Sequence, residues 1–507
     1  MLSAIPMSLI LPPTHLLVWG GYPILRLESL LLLGSFLLTG LVLTLVLSKH
    51  PASLRLATLV LTVVAALMIG PPDVLSDVFP FEQAISAALT AILFSMIIVG
   101  VPALLIIGLK DNGLAILGGT FTAMLISTIL VPLPAAPAIA IQGDLPIGDQ
   151  NLPPVMHLVM DEHAGISQLP ATVVEEISAL LDDFRVFPDA YSPFSFTPFA
   201  MAAMLNPHLE AKEISPDSHR NRWLIEPNRW FDHLATQGYV ISVHQPDLLE
   251  YCASEGLVDR CYTYNPTSVG YLADFDFPPL TKLRLLASKM VPWLADIDPF
   301  PIFLWPTAAI RAMEDAALLL QTGARGRVFF LHLTIPHGPF LYDSQCRLRF
   351  TSGIMDSGSF SENSLTPYYE QMRCAWRQIE RLLVVLKENS DAADAVILLH
   401  GDHGLRYASD GVPDPAMDPS GARAASELRT LLAIRGPTLT PGTLSGRIVI
   451  PRAVDALMGN CNDQADDGVG YTVPRSDFRN KLTTQAPIQL QLPPIGPALV
   501  PVCSPTR

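Results

Sequence analysis

Four stretches of the chain are near-continuous apolar runs: Leu30 to Ser48, Leu54 to Gly70, Ala84 to Leu109 and Gly113 to Val131. Each has about the length that crosses a bilayer as a helix, roughly 17–25 residues. None carries the polar face that a helix buried in a soluble bundle would show at helical spacing. The pattern predicts four transmembrane helices within residues 1–131. The first 25 residues are apolar but broken by Pro12-Pro13. They read as an interfacial segment or as a fifth, distorted span over 3–22, and without a basic leader they do not read as a cleavable signal peptide.

From residue 155 the pattern changes to short apolar runs alternating with amphipathic helices. "VMHLVMD" (155–161), "YVISV" (239–243), "RVFFLHLT" (327–334), "DAVILLHGD" (394–402) and "TLLAIRG" (430–436) read as buried strands. "ATVVEEISALLDDF", "NRWFDHLATQG" and "YYEQMRCAWRQIERLLVVLKEN" between them have helical periodicity. Strands alternating with helices predict an α/β domain with a mostly parallel central sheet over 155–485. Residues 132–154, rich in Pro, Gly and Ala, read as the linker leaving the membrane, and 486–507 as a Pro-rich tail. Irregular stretches in 205–310 and 344–366 read as surface insertions.

Composition supports the membrane part: 507 residues, 50% hydrophobic and only 16% charged, with a mean hydropathy of +0.36. Lys49 and Arg55 bracket the first connection between spans and Lys110 lies in the third, whereas the second carries Asp73, Asp77 and Glu82. By the positive-inside rule the first and third connections are cytoplasmic, and everything after the fourth span is outside. All six cysteines follow the spans, which suits an oxidising compartment. Cys252 with Cys261 and Cys346 with Cys374 are plausible bridges, but sequence alone does not fix the connectivity. The net charge of −15 argues against nucleic acid as a partner.

In an open α/β sheet, ligands gather beyond the carboxyl ends of the strands. "HLVMDEHAG" ends its strand in Asp161, Glu162 and His163; "HLTIPHGPFLYD" brings Thr334 and His337; "LLHGDHGLR" brings His400, Asp402, His403 and Arg406. Carboxylates with imidazoles at three strand ends point to a divalent metal, zinc or manganese rather than calcium. Each residue also has a plainer use. Asp161-Glu162 suits a helix N-terminus, His337 a turn, and His157 and His400, inside apolar runs, suit satisfied core histidines. In "AYSPFSFTPFAMAAMLN", Ser192, Ser195 and Thr197 precede a helix of small residues. A hydroxyl there can cap the helix, or serve as a nucleophile beside a metal.

The order of Asp/Glu after the first strand, a hydroxyl opening a helix, "HGP" and then "DHG" resembles the alkaline phosphatase and sulfatase superfamily. More narrowly it is similar to the membrane-anchored phosphoethanolamine transferases and lipoteichoic-acid synthases. That resemblance, over roughly 155–440, implies a metal-dependent transferase. Such an enzyme moves a phospholipid-derived phospho group to an envelope glycan or lipid through a phosphothreonine. It selects Thr197 as the nucleophile, with Ala200 and Ala202 as departures from the family's pattern after the threonine. It implies Asp161 or Glu162 (or both), Thr197, Asp402 and His403 as metal ligands. His337 would be the contact to the substrate phosphate, and Arg406 a further anion contact. The implied location is the inner (plasma) membrane, with several spans and an extracytoplasmic catalytic domain. A sulfatase-like hydrolase of phosphate or sulfate esters is the alternative, and an inactive scaffold homologue a third. The C/S-x-P-x-R segment of true sulfatases is absent near 190–200, which favours phosphorus chemistry.

Overall fold

The computed structural model describes residues 4–20, 22–69, 101–109, 111–130, 148–207, 217–219, 222–253, 256–266, 269–274, 277–290, 304–349, 365–405, 426–444, 446–458 and four short strand segments between 471 and 490. Most of the third expected span, most of the linker, Arg406 and most of the tail lie outside them. The chain divides into two compact units, Met1–Ala140 with Thr267–Ile302, and Ile141–Pro266 with Phe303–Arg507.

The first unit is helical. Its helices are α1 (Ala4–Trp19), α2 (Leu27–Leu47), α3 (Pro51–Ile69), α4 (Val101–Leu109) and α5 (Asp111–Leu130), with Val269–Asp274 and Pro279–Met290 from the later segment. Helix α1 continues through Pro12 and Pro13 and packs against α2, α3 and α5. Among the described residues only α2 is both long and apolar enough to cross a membrane. Leu30, Leu31, Leu38, Leu41 and Leu45 on it are exposed. The apolar stretches of α3 and α5 described here, Pro51–Thr62 and Asn112–Thr128, are shorter. Helices α3 and α5 as a whole run for 19 and 20 residues. With most of the third expected span outside the described residues, the four-span bundle that the apolar runs predict is not shown.

The second unit is α/β. In chain order its strands are β1 (Val155–Met160), β2 (Arg185–Val186), β3 (Asp189–Tyr191), β4 (Asp217–His219), β5 (Arg222–Leu224), β6 (Val240–Pro246) and β7 (Leu249–Glu250). After them come β8 (Arg260–Tyr264), β9 (Arg327–Leu333), β10 (Val396–Gly401), β11 (Arg429–Thr430), β12 (Leu432–Arg435), β13 (Gly442–Thr443) and β14 (Arg447–Val449). The main sheet has eight strands in the order β13-β2-β12-β10-β1-β9-β6-β8, and two smaller sheets are β11-β3-β14 and β4-β5-β7. Strands β10, β1, β9, β6 and β8 are mutually parallel, but β12 runs antiparallel to both β10 and β2. The sheet is thus mixed rather than mostly parallel.

Strands β1, β9 and β6 are buried at every position, as a sheet covered on both faces requires. Helices α6 (Ala171–Leu180), α7 (Thr197–Leu205), α8 (Arg229–Thr236), α9 (Trp305–Gln321), α10 (Leu365–Glu388) and α11 (Ile450–Leu457) supply the cover. Small residues make α7 almost wholly buried, with Ala200 to Leu205 joining Val159, Phe330, Trp230 and Val454 in one core. Helix α9 packs on β9 and β6, and α10 on α9. The connectivity that the sequence left open is Cys252–Cys261 and Cys346–Cys374.

Candidate active site

Alternate residues of a strand share a face, so His157, Val159 and Asp161 lie on one side of β1, and His400 and Asp402 on one side of β10. Register places Val159 opposite both His400 and His332. Past the strand ends the chain folds back sharply. Asp402 Oδ1 accepts the backbone N–H groups of His403 (2.8 Å) and Glu162 (2.9 Å), which ties the two turns together. Close packing here demands glycine. A Cβ on Gly401 would lie 2.0 Å from Thr430 Oγ1, and one on Gly404 2.1 Å from the Arg429 carbonyl oxygen. The Thr430 hydroxyl lies within 2.8 Å and 3.0 Å of the carbonyl oxygens of His163 and His403.

With Oδ1 so occupied, Asp402 Oδ2 lies 3.5 Å from His403 Nε2. The Nδ1–H of His403 donates to the Gly404 carbonyl at 2.8 Å. In the neutral ring this leaves the Nε2 lone pair facing the two carboxylates. Asp161 Oδ1 is 3.9 Å from the same nitrogen. One potential ligand atom each from Asp161, Asp402 and His403 falls within a mutual 4.8 Å, and all three residues are buried. Two carboxylates and an imidazole gathered in a low-dielectric site are costly without a cation. The donor set therefore fits a divalent metal such as zinc or manganese. Burial alone would raise the Asp402 carboxyl. The neighbouring His403 and His332, the Thr197 hydroxyl and the Glu162 N–H together hold it down to about 2.

Thr197 opens α7, and its Oγ1 lies 3.4 Å from His403 Nε2. It is not the cap of that helix. Phe196 occupies the N-cap position and makes no side-chain capping bond. The Ser192 hydroxyl instead closes a local turn on the Phe194 carbonyl at 2.7 Å. The hydroxyl of Thr197 thus meets the carboxylate–imidazole cluster at a helix N-terminus, where N–H groups and the positive dipole end favour an anion.

No family model matches the sequence. No curated protein matches it either. Solved structures similar to it include the C-terminal periplasmic domain of EcEptC from Escherichia coli in complex with zinc. That match has a TM-score of 0.42 and 11% identity over 68% of this chain and 94% of that one. Another is the lipoteichoic acid synthase LtaP from Listeria monocytogenes, with a TM-score of 0.38 and 13% identity over 61% of this chain and 71% of that one. A third is the phosphonate monoester hydrolase of Agrobacterium radiobacter, with a TM-score of 0.39 and 12% identity over 60% and 73%.

The two acidic residues after β1 part company in space. Asp161 joins Asp402 and His403, whereas Glu162 adopts a left-handed backbone (φ +62°). Glu162 Oε2 lies 3.8 Å from His337 Nε2. The Nδ1–H of His337 donates to the Gly338 carbonyl at 2.5 Å. Thr334 points elsewhere, donating to the Trp305 carbonyl at 2.7 Å. Arg406 lies outside the described residues.

One neighbour carries no motif that would have singled it out. His332 is buried on β9, its Nδ1 2.7 Å from the Tyr251 hydroxyl. It is in electrostatic range of Asp402, His400, His403 and His337. Its only signal was a polar letter inside an apolar run, which His157 and His400 share. Those two pair with each other, Nε2 to Nε2 at 2.7 Å, with the His400 Nδ1–H on the Gly401 carbonyl.

Buried rings make this unit sensitive to acid. Burial pushes His163, His332 and His400 down to about 4, His244 down to about 3, and His157 well below its ordinary range. Between pH 6.5 and about 4 the unfolded chain takes up protons at these sites and the folded chain does not. Stability is therefore full above pH 6.5 and falls as the pH drops through that window, each ring contributing ~1.4 kcal/mol for every pH unit crossed. Only a few such rings rival a typical folding stability of about 5–15 kcal/mol. Thermal melts from pH 7.5 to 4.5 should show a steep fall in Tm; a flat profile to pH 5 would contradict the neutral buried rings.

Proposed function

We propose that the chain is a membrane-bound, metal-dependent transferase that moves a phospholipid-derived phospho group, of the phosphoethanolamine or phosphoglycerol type, to an envelope glycan or lipid. The observation that carries this reading is the Thr197 hydroxyl 3.4 Å from His403 Nε2 at the edge of the Asp161–Asp402–His403 cluster. Asp161, Asp402, His403 and Thr197 would hold zinc or manganese. The cation, when bound, supplies the positive charge that lowers the hydroxyl's pKa and neutralises the phosphoryl oxygens.

In the first half-reaction Thr197 Oγ1 forms a bond to phosphorus as the bond to the donor's alcohol oxygen breaks. The hydroxyl proton leaves with that alcohol. In the second, an acceptor hydroxyl attacks the phosphothreonine and returns a proton to Thr197. The N-terminal N–H groups of α7 and the His337 imidazole face the charge that builds on the phosphoryl group. Glu162, beside His337, is better suited to orienting that ring than to completing the metal set. Arg406 stays a candidate anion contact.

A lipid donor suits a site tethered to the bilayer. The apolar α2, the apolar runs within 1–131 and the charges of their connections support a multi-pass protein of the inner membrane. The two disulfides suit a catalytic part over 155–485 on the extracytoplasmic side, joined by the 132–154 linker and followed by the 486–507 tail. Product analysis tests the choice between transferase and hydrolase. Group transfer requires an added acceptor for turnover, whereas release of phosphate or sulfate into water without one would assign a hydrolase.

A further inference from the structure

We propose that Gln371 and Tyr368 on α10 are positioning residues that hold His337 and Glu162 in the geometry used for transfer; the inference rests on the transfer reading above. Helix α10 buries a stripe made of Tyr368, Gln371, Cys374 and Gln378, spaced three, three and four residues apart, which is one helical face. Apolar residues would fill such a stripe at less cost. A buried amide or phenol is tolerated only where its polar atoms are bonded.

Gln371 is fully buried and its amide is saturated. Its Oε1 accepts the N–H groups of Leu341 (2.7 Å) and Tyr342 (3.2 Å). Its Nε2 donates to the carbonyl of His337 (2.8 Å), with those of Pro336 (3.2 Å) and Pro339 (3.3 Å) close by. One side chain thereby closes the whole loop from Pro336 to Tyr342 around His337. The Cys346–Cys374 disulfide fastens the outgoing chain to the same helix one turn further on.

Tyr368, one turn earlier, does the same for the other loop. Its fully buried hydroxyl donates to the Glu162 carbonyl and accepts the Ala164 N–H, both at 2.9 Å. Glu162 itself has a left-handed backbone (φ +62°). A non-glycine residue keeps such a conformation only where its surroundings over-determine it. Here Asp402 holds the Glu162 N–H and Tyr368 its carbonyl. Further along α10 the Trp376 Nε1–H donates to His163 Nε2 at 3.0 Å. The helix therefore ties together two loops that are far apart in sequence and whose side chains, Glu162 and His337, meet at 3.8 Å. Helix α10 thereby sets how Glu162 and His337 meet.

The test uses the full chain in detergent, loaded with zinc and given phosphatidylethanolamine in mixed micelles. The readout is the rate at which head-group phosphate adds to Thr197, followed by intact-protein mass spectrometry. Tyr368→Phe keeps the ring, and Gln371→Met keeps the length of the side chain. Each should slow labelling about 100-fold, the scale of an ångström-level misplacement, with zinc content unchanged and Tm recorded for both. In a His337→Ala background Gln371→Met should add almost nothing, because its effect passes through His337. A merely structural role would multiply with His337→Ala. Wild-type labelling rates in both variants, or losses that multiply, would overturn the inference. No adduct on the wild-type chain would overturn the transfer reading and this inference with it, an outcome distinct from equal labelling of variant and wild type. If Gln371→Met does not fold, Tyr368→Phe alone, crossed with His337→Ala, tests the same face of α10 by the same criterion.

Discussion

Thr197→Ala will lose covalent labelling altogether and lower acceptor-dependent turnover by about 10⁴-fold or more, the scale seen when a nucleophile is removed from a group-transfer site. The substitution is small. Thr197 is buried at the first position of α7, with Phe196 at the N-cap and without a capping bond of its own, so alanine leaves the helix start intact. Zinc content should fall little, since Asp161, Asp402 and His403 remain. The decisive measurement is intact-protein mass after incubation with mixed phospholipids and zinc or manganese, wild type beside variant. A head-group phosphate mapped to Thr197 and missing from the alanine protein is the expected result, and its mass names the group. An adduct at Ser192 or Ser195, or full turnover by the alanine protein, would sink the assignment.

Removing the metal, or the charge that holds it, should have an effect of similar size. Exhaustive dialysis against a chelator will abolish turnover, and zinc or manganese will restore it. Asp402→Asn is the sharper version. The amide oxygen can still accept from the Glu162 and His403 N–H groups that Asp402 Oδ1 now takes, so the two turns stay tied while the negative charge is gone. Zinc binds the folded state and should raise the wild-type Tm in a concentration-dependent way, worth ~2.7 kcal/mol at a hundred times its dissociation constant. The asparagine protein should show no such rise and should be inactive at any metal concentration tested. A wild-type Tm indifferent to zinc and manganese alike would count against the cluster as a metal site.

Much of the second unit could be read from the letters because a strand buried on both faces is written as an unbroken apolar run, and polar residues are tolerated only at its end. That rule placed Asp161, His337, Asp402 and His403 beyond their strands from the letters alone. It failed where polar residues sit inside the run. His157 and His400 bond to each other through Nε2 across the β1–β10 pair. His332, with the same local pattern on β9, is held by Tyr251 and lies beside Asp402 and His403. Nothing nearby in the chain distinguishes the three, since the difference lies in which strand is the neighbour.

Local periodicity and composition were enough for the alternation of strands and helices, the polar strand ends, the helix that Thr197 opens and an apolar α2 of bilayer length; which cysteines pair was settled only by the fold. The direction of β12 was not within their reach, because strand pairing is a non-local choice made by the path of the connection. Nor was the gathering of Asp161 with Asp402 while Glu162 turns toward His337. Those two residues are adjacent carboxylates, alike to any local rule. What separates them is a left-handed backbone at Glu162, held by Asp402 from one distant strand end and by Tyr368 from a helix more than 200 residues away.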